Sequence, residues 1–256
     1  GSEKNPEITC KNCGSWNLIS LGIGVDTVYE EMKRKFAKLK IFRLDKSTVN
    51  TESKAKKLIK EWDQVEKSAV LVGTEMMFYY LDEPADLSIV SSFDSLWSIP
   101  NYKMSEKILQ ILISLMYLTK RELVIQTKNA KDPVILAFVS ENLASFVRGE
   151  INDRRELGYP PFRRFIKITH LGDKNMTNEA KLKLREIFKD YDIEIFSGFI
   201  QKTKNKYVTN ALLRLEPTKW SLPEISARGS IDKKLSALLS YLPPNYEVSV
   251  DPEDLL

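Results

Sequence analysis

Cysteine, histidine and long apolar runs are scarce in this chain, and each shortage closes off a class of protein. Its 256 residues hold two cysteines, Cys10 and Cys13. A pair only three positions apart cannot staple a secreted fold and argues for a reducing compartment. The one histidine, His170, has no second ligand or nucleophile beside it in sequence and reads as structural. The longest apolar run, "ILQILISLMYL" from Ile108, contains Gln110 and falls short of the roughly 20 residues that cross a bilayer. No signal peptide is visible, so neither a membrane nor export is expected. No GxxxxGK[ST] phosphate loop occurs. "LGIGV" offers Gly22 and Gly24 but lacks the third glycine of a dinucleotide fingerprint, and reads as a tight turn. There is no internal repeat and no low-complexity tract.

What is present fits a soluble globular protein: 29% charged and 10% aromatic residues. The length exceeds the usual domain of about 100–150 residues, so two domains are expected. A net charge of +4 and a pI near 8.8 suit either a lysine-rich surface or a nucleic-acid partner. Gly1-Ser2 reads as a cloning remnant, with natural sequence expected upstream.

The first half alternates helix and strand. Val28, Met32, Phe36 and Leu39 recur at helical spacing over 26–39, with Asp26 as the expected N-cap. "KIFRL" (40–44) alternates as a strand, and Ala55, Leu58, Ile59 and Trp62 mark a second helix. "SAVLVG" and "LSIVSSF" (87–93) read as further strands, then a helix over about 105–118 and the strand "ELVIQT" (122–127). Strands separated by helices favour a parallel α/β sheet. Helical spacing resumes from Asp132 to about Leu157, where Pro160-Pro161 must stop it. Beyond that boundary the order is βαββαβ, with its first helix expected from about Thr177, as one sheet with two helices.

Six stretches, in order, carry a resemblance: "CKNCGSWNLISLGIGVDTVYEEM", "IFRLDKST", "LVGTEM", "ELVIQT", "RRELGYPPFRR" and "VSVDPEDLL". Together they are similar to the C-terminal half of the primosomal protein N′ (PriA-type) replication-restart helicases. The resemblance implies a fold class: an α/β RecA-like second helicase lobe followed by a small α+β C-terminal domain. The expected divisions are a zinc-knuckle remnant (1–15), the lobe (16–128), a helical connector (129–157) and the C-terminal domain (158–256). Replication partners and a cytoplasmic, nucleoid-associated location follow from the same resemblance.

The departures from the family matter as much. Its motif V runs Gly-Thr-Gln-Met and then Lys-Gly; here Gly73 and Thr74 are kept, Glu75 stands for the glutamine, and Tyr79-Tyr80 stand for Lys-Gly. The arginine-finger stretch, motif VI, is replaced by "SLMYLTKR", with Leu118 near the first arginine position and Arg121 near the second. Such an arginine is worth about 10³–10⁵ in rate. With no phosphate loop, no motif V cation and no finger, the chain is not expected to hydrolyse ATP, and no catalytic residue is assigned.

Cys10 and Cys13 supply half a tetrahedral zinc site. The pair is expected as a reduced, metal-free remnant with no cofactor in this chain; zinc is the alternative, with upstream or dimer-mate cysteines to complete the site. Phe78, Tyr79 and Tyr80 either stack unpaired bases or fill the cleft vacated by nucleotide, and packing is preferred; so it is for Leu115, Met116 and Tyr117. Lys202, Lys204 and Lys206, beside Tyr207, form a basic hairpin loop that matches a DNA-engaging loop of the family. Arg163 and Arg164 are further DNA candidates, or simply flank a strand. Lys219 lies near where the family captures the tail of single-stranded-DNA-binding protein. The function expected is a non-catalytic replication-restart scaffold that binds forked or single-stranded DNA and primosome components. A fragment of an active 3′–5′ helicase and a pure protein-interaction module are the alternatives.

Overall fold

The computed structural model describes residues 23–98, 101–198, 206–216 and 232–255. The chain divides into two compact units, one of residues 1–99 and 104–140, the other of 100–103 and 141–256.

In the first unit, α1 (Val25–Lys35) starts at Gly24, which has no side chain to cap it. Asp26, expected as the cap, lies in the first turn and pairs with Arg43 instead. The helix stops at Lys35, earlier than the apolar spacing predicts, and β1 (Lys40–Leu44) follows. Thr51 caps α2 (Glu52–Asp63) by accepting from the Lys54 N–H at 3.4 Å. Its Ala55 and Ile59 bury against Leu44 and Val49. β2 (Ala69–Gly73) runs parallel to β1, with Leu44 opposite Gly73.

The same unit continues with β3 (Ala85–Val90), α3 (Met104–Tyr117), β4 (Thr119–Ile125) and α4 (Pro133–Val139). Ile108 and Leu112 of α3 and Val134 of α4 are fully buried, as is Phe93. Asp132 caps α4 at 2.9 Å, ahead of Pro133, whose fixed φ suits a first turn. The expected parallel sheet is present as two separate parallel pairs, β1–β2 and β3–β4. One face of the second pair leaves Leu87, Ile89 and Val124 exposed, where a fully covered parallel strand would hide them.

The helix expected from Asp132 to Leu157 is broken in two. Glu141 sits in the left-handed region (φ 55°), which a right-handed helix cannot pass through, and Asn142 then caps α5 (Leu143–Leu157) at 3.2 Å. The units divide there, so α4 and α5 belong to different units rather than to one connector. Gly158, at φ 65°, ends α5 before the prolines are reached. Its N–H and that of Tyr159 close back on the Arg154 and Arg155 carbonyls.

The second unit carries a β-α-β-β-α-β succession: β5 (Arg164–Gly172), α6 (Lys174–Ile187), β6 (Ile193–Ser197), β7 (Tyr207–Leu215), α7 (Lys233–Ser240) and β8 (Tyr246–Val250). The four strands form one antiparallel sheet in the order β6-β7-β5-β8. Alternate residues of β5 and β7 meet α6 and α7 in a core of Ile166, Ile168, Leu184, Phe188, Ala211, Leu213 and Leu235, all fully buried. Phe165, pointing the other way, packs edge-on against Tyr102 and Tyr159. Asp173 caps α6 at Asn175 and Met176, so the helix begins at Lys174, three residues before the expected Thr177. No helix among the described residues is long and apolar enough to cross a membrane.

Candidate nucleic-acid interface

The motif V positions lie where β2 ends. A Cβ on Gly73 would strike the Leu44 carbonyl of β1, and the next N–H, of Thr74, donates to that same oxygen at 3.4 Å. Strand packing therefore requires the glycine, whatever its neighbours do. Thr74 leads into a 3-10 turn over Glu75–Tyr79. Glu75 faces Lys107 of α3 at 3.2 Å. Met76, Met77 and Tyr80 pack onto the Leu44–Ile59 core. Tyr79 does not: it stands 87% exposed. The preference for packing thus accounts for Tyr80 but not Tyr79, because a 3-10 turn sends only part of its circumference inward.

The motif VI stretch shows a similar split. Leu118 is half-buried, and its carbonyl accepts from the Ala85 N–H at 2.9 Å. Packing was expected for Leu115, Met116 and Tyr117, yet Tyr117 is 76% exposed and Met116 is exposed too. Arg121 falls inside β4, at a solvent-facing position, with Asp86 of β3 at 3.7 Å. Such an exposed pair holds a guanidinium only weakly.

In the second unit, the basic positions separate to opposite ends of the sheet. Lys206 is exposed, and Tyr207 begins β7 opposite Gly172, the last residue of β5. Lys202 and Lys204 lie outside the described residues, as do Lys219, Cys10 and Cys13. Arg164 pairs with Leu215 at the far end of the same ladder. Eight residues of strand put it roughly 25 Å from Tyr207, so the two sets cannot share one phosphate. Arg164 is 14% exposed and pairs with Asp251, whose other carboxylate oxygen accepts from the Phe165 N–H at 2.9 Å. Arg163 reaches Asp192 and Glu216, each at 3.4 Å. Arg164 is thus committed to a carboxylate that ties strand ends together, while Arg163 faces two exposed ones.

Instead of the arginines, the fold brings α6 to Tyr207. The Thr209 hydroxyl donates to the Thr177 carbonyl at 3.3 Å, pinning β7 to that helix. Lys181 donates to the Ser197 hydroxyl at 3.0 Å, tying α6 to the end of β6. Gly198 must lack a side chain, since a Cβ there would lie 2.7 Å from that of Val208. Lys174, Asn178 and Lys181 share one helix face at four- and three-residue spacing.

His170, inside β5, shares its Nε2 with the Asn245 amide at 2.9 Å and lies 4.7 Å from the Tyr246 ring. Burial holds its pKa below the ordinary value. Among the described residues, no group of three or more His, Cys, Asp or Glu could hold a metal.

No protein-family model matches the chain. It is similar to the replication restart protein PriA of Thermotoga maritima, 28% identical over 254 residues, covering 94% of this chain and 33% of that protein. The PriA proteins of Synechocystis and Bacillus subtilis are 29% and 27% identical, covering 71% and 66% of this chain and 22% of each relative. The chain is thus similar to a PriA-type C-terminal region. It spans a third or less of the length of these PriA relatives.

Proposed function

We propose that this chain serves replication restart as a DNA- and partner-binding region that does not turn over ATP. The similarity to PriA proteins along nearly the whole chain carries the restart role. In this account the first unit is a RecA-like second lobe kept as a scaffold, and the second is the PriA-type C-terminal domain. The loss of turnover is supported by the fate of the motor positions. Tyr80 lies against the core, Gly73 is explained by the Leu44 carbonyl alone, and Glu75 faces Lys107.

The hairpin lysines Lys202, Lys204 and Lys206 would reach a phosphate backbone, so binding weakens steeply with salt and reads little sequence. Lys219 would receive a carboxylate from a partner such as single-stranded-DNA-binding protein, and Cys10 and Cys13 would bind zinc only with ligands from elsewhere. The site of action would be the cytoplasm. Fluorescence anisotropy with labelled forked and single-stranded DNA at low salt tests the proposal. Micromolar binding, lost on replacing the three hairpin lysines with alanine, is expected; no binding to either DNA would sink it.

A second reading is favoured by the chain spanning only a third of its relatives. Joined to a first lobe in a longer protein, the same region would work in an active 3′–5′ helicase. Arg121, exposed and weakly held, is the residue to test there. DNA-stimulated ATP hydrolysis by the longer protein, abolished in Arg121→Ala, would replace the first reading with this one.

A further inference from the structure

At the root of the β6–β7 hairpin lies a cleft of about 180 Å³ that no motif of the chain foretells. Lys174, Asn178 and Lys181 of α6 line it together with Ser197, Gly198 and Tyr207. The lining holds two ammonium groups, amide and hydroxyl donors, and no carboxylate. Of the acids that adjoin these residues along the chain, Asp173 is occupied with the backbone N–H groups of Asn175 and Met176, and Glu179 does not line the cleft. Such a lining suits an anion. Cleft and hairpin are continuous through Lys206-Tyr207, and the Tyr207 ring is partly exposed, offering an aromatic surface beside the cations.

We propose that this cleft seats one phosphodiester of a single strand of nucleic acid, with the phosphate between Lys174 and Lys181 and the adjoining base on Tyr207. The assignment rests on the DNA-binding reading and adds to it a defined subsite and a strand form. A cleft of this size takes one phosphate with its sugar, whereas a paired base keeps its face from the tyrosine. Aromatic stacking tolerates any base, so the subsite selects unpaired strands rather than sequences.

Anisotropy titration of labelled oligo-dT against this chain, across a salt series, tests the subsite. Lys174→Ala with Lys181→Ala is expected to weaken binding about tenfold and to flatten the slope of log K against log salt by about 0.7–1.4. Tyr207→Ala is expected to weaken it 5- to 100-fold with the slope unchanged. Because Lys181 also braces Ser197, Asn178→Asp provides the control on folding. It places a carboxylate in the cleft at an exposed position and is expected to weaken binding with the thermal transition unmoved. Unchanged affinity in the cleft variants, while the hairpin variant loses binding, would overturn the subsite and leave the DNA-binding reading standing. No binding by the parent chain would overturn both. Competition by inorganic phosphate at the concentration of oligonucleotide phosphate would overturn the subsite in favour of a free-anion site.

Discussion

The two units solve the problem of covering a sheet differently. The second closes four antiparallel strands under two helices, and its core residues from Ile166 to Leu235 lose all contact with water. The first splits its strands into two parallel pairs and leaves Leu87, Ile89, Tyr79 and Tyr117 on the surface. In the second unit the basic candidates divide between strand ends, Arg164 holding structure and the hairpin end facing a cleft. In the first, Gly73, Tyr80 and Leu118 serve packing and strand pairing, while Tyr79 and Arg121 face solvent. A retained motif is thus a poor guide to retained chemistry when packing alone demands the same residue, as the Leu44 carbonyl demands Gly73.

The sharpest test of this contrast is Leu213→Ala, which empties the middle of the second core. It is expected to cost about 3–5 kcal/mol, read as lost amide-exchange protection in β5 and β7. Equal loss in β1 and β2 would break the contrast by making the chain one cooperative body. Gly73→Ala is the counterpart in the first unit. Its Cβ meets backbone, which yields reluctantly, so a loss of about 2–4 kcal/mol is expected in denaturant titration. A cost under 0.5 kcal/mol would return the glycine to a functional explanation.

Acid should separate the units next. Burial raises the Asp45 pKa, but the Ser47 hydroxyl, the Arg43 guanidinium and the Thr48 and Ser47 N–H groups outweigh it and hold the carboxyl well below 3.8. Its contribution is present above that value and fades as pH falls beneath it. His170 is also held low, by burial, so the second unit begins to lose stability once pH drops below about 6.5. Exchange protection is therefore expected to fall first in β5, and in β1 only in stronger acid. Asp45→Asn should cost the first unit about 2 kcal/mol at pH 7, with the difference shrinking in acid; a constant difference down to pH 2 would contradict the assignment. The smallest effect is expected from Tyr79→Ala, within about 0.5 kcal/mol in stability because the ring is in solvent. If that change also leaves single-strand affinity untouched, base stacking on Tyr79 is excluded.

Much of the fold was legible because periodicity reports burial directly. The strand "SAVLVG", the stripes of α2 and α3 and the βαββαβ succession all appear near their expected places. Element ends were harder to see, since caps compete locally: Glu141 and Asn142 interrupt a helix whose apolar spacing runs on, and Gly158 stops it before Pro160. Of the candidate sites, Tyr207 and Lys206 could be named from their lysine-rich neighbourhood. Lys174 and Lys181, some 25–35 positions earlier in the chain, could not.

By itself the sequence determined the family resemblance, the alternation of elements and the absence of a phosphate loop, because these depend on residue order and spacing. Only the tertiary structure decided what each side chain does there. Register set Arg164 at one end of a ladder and Tyr207 at the other, and Asp251, 87 positions from Arg164, occupied its charge. Partners so distant in the chain leave no local pattern, since they meet only when the sheet forms.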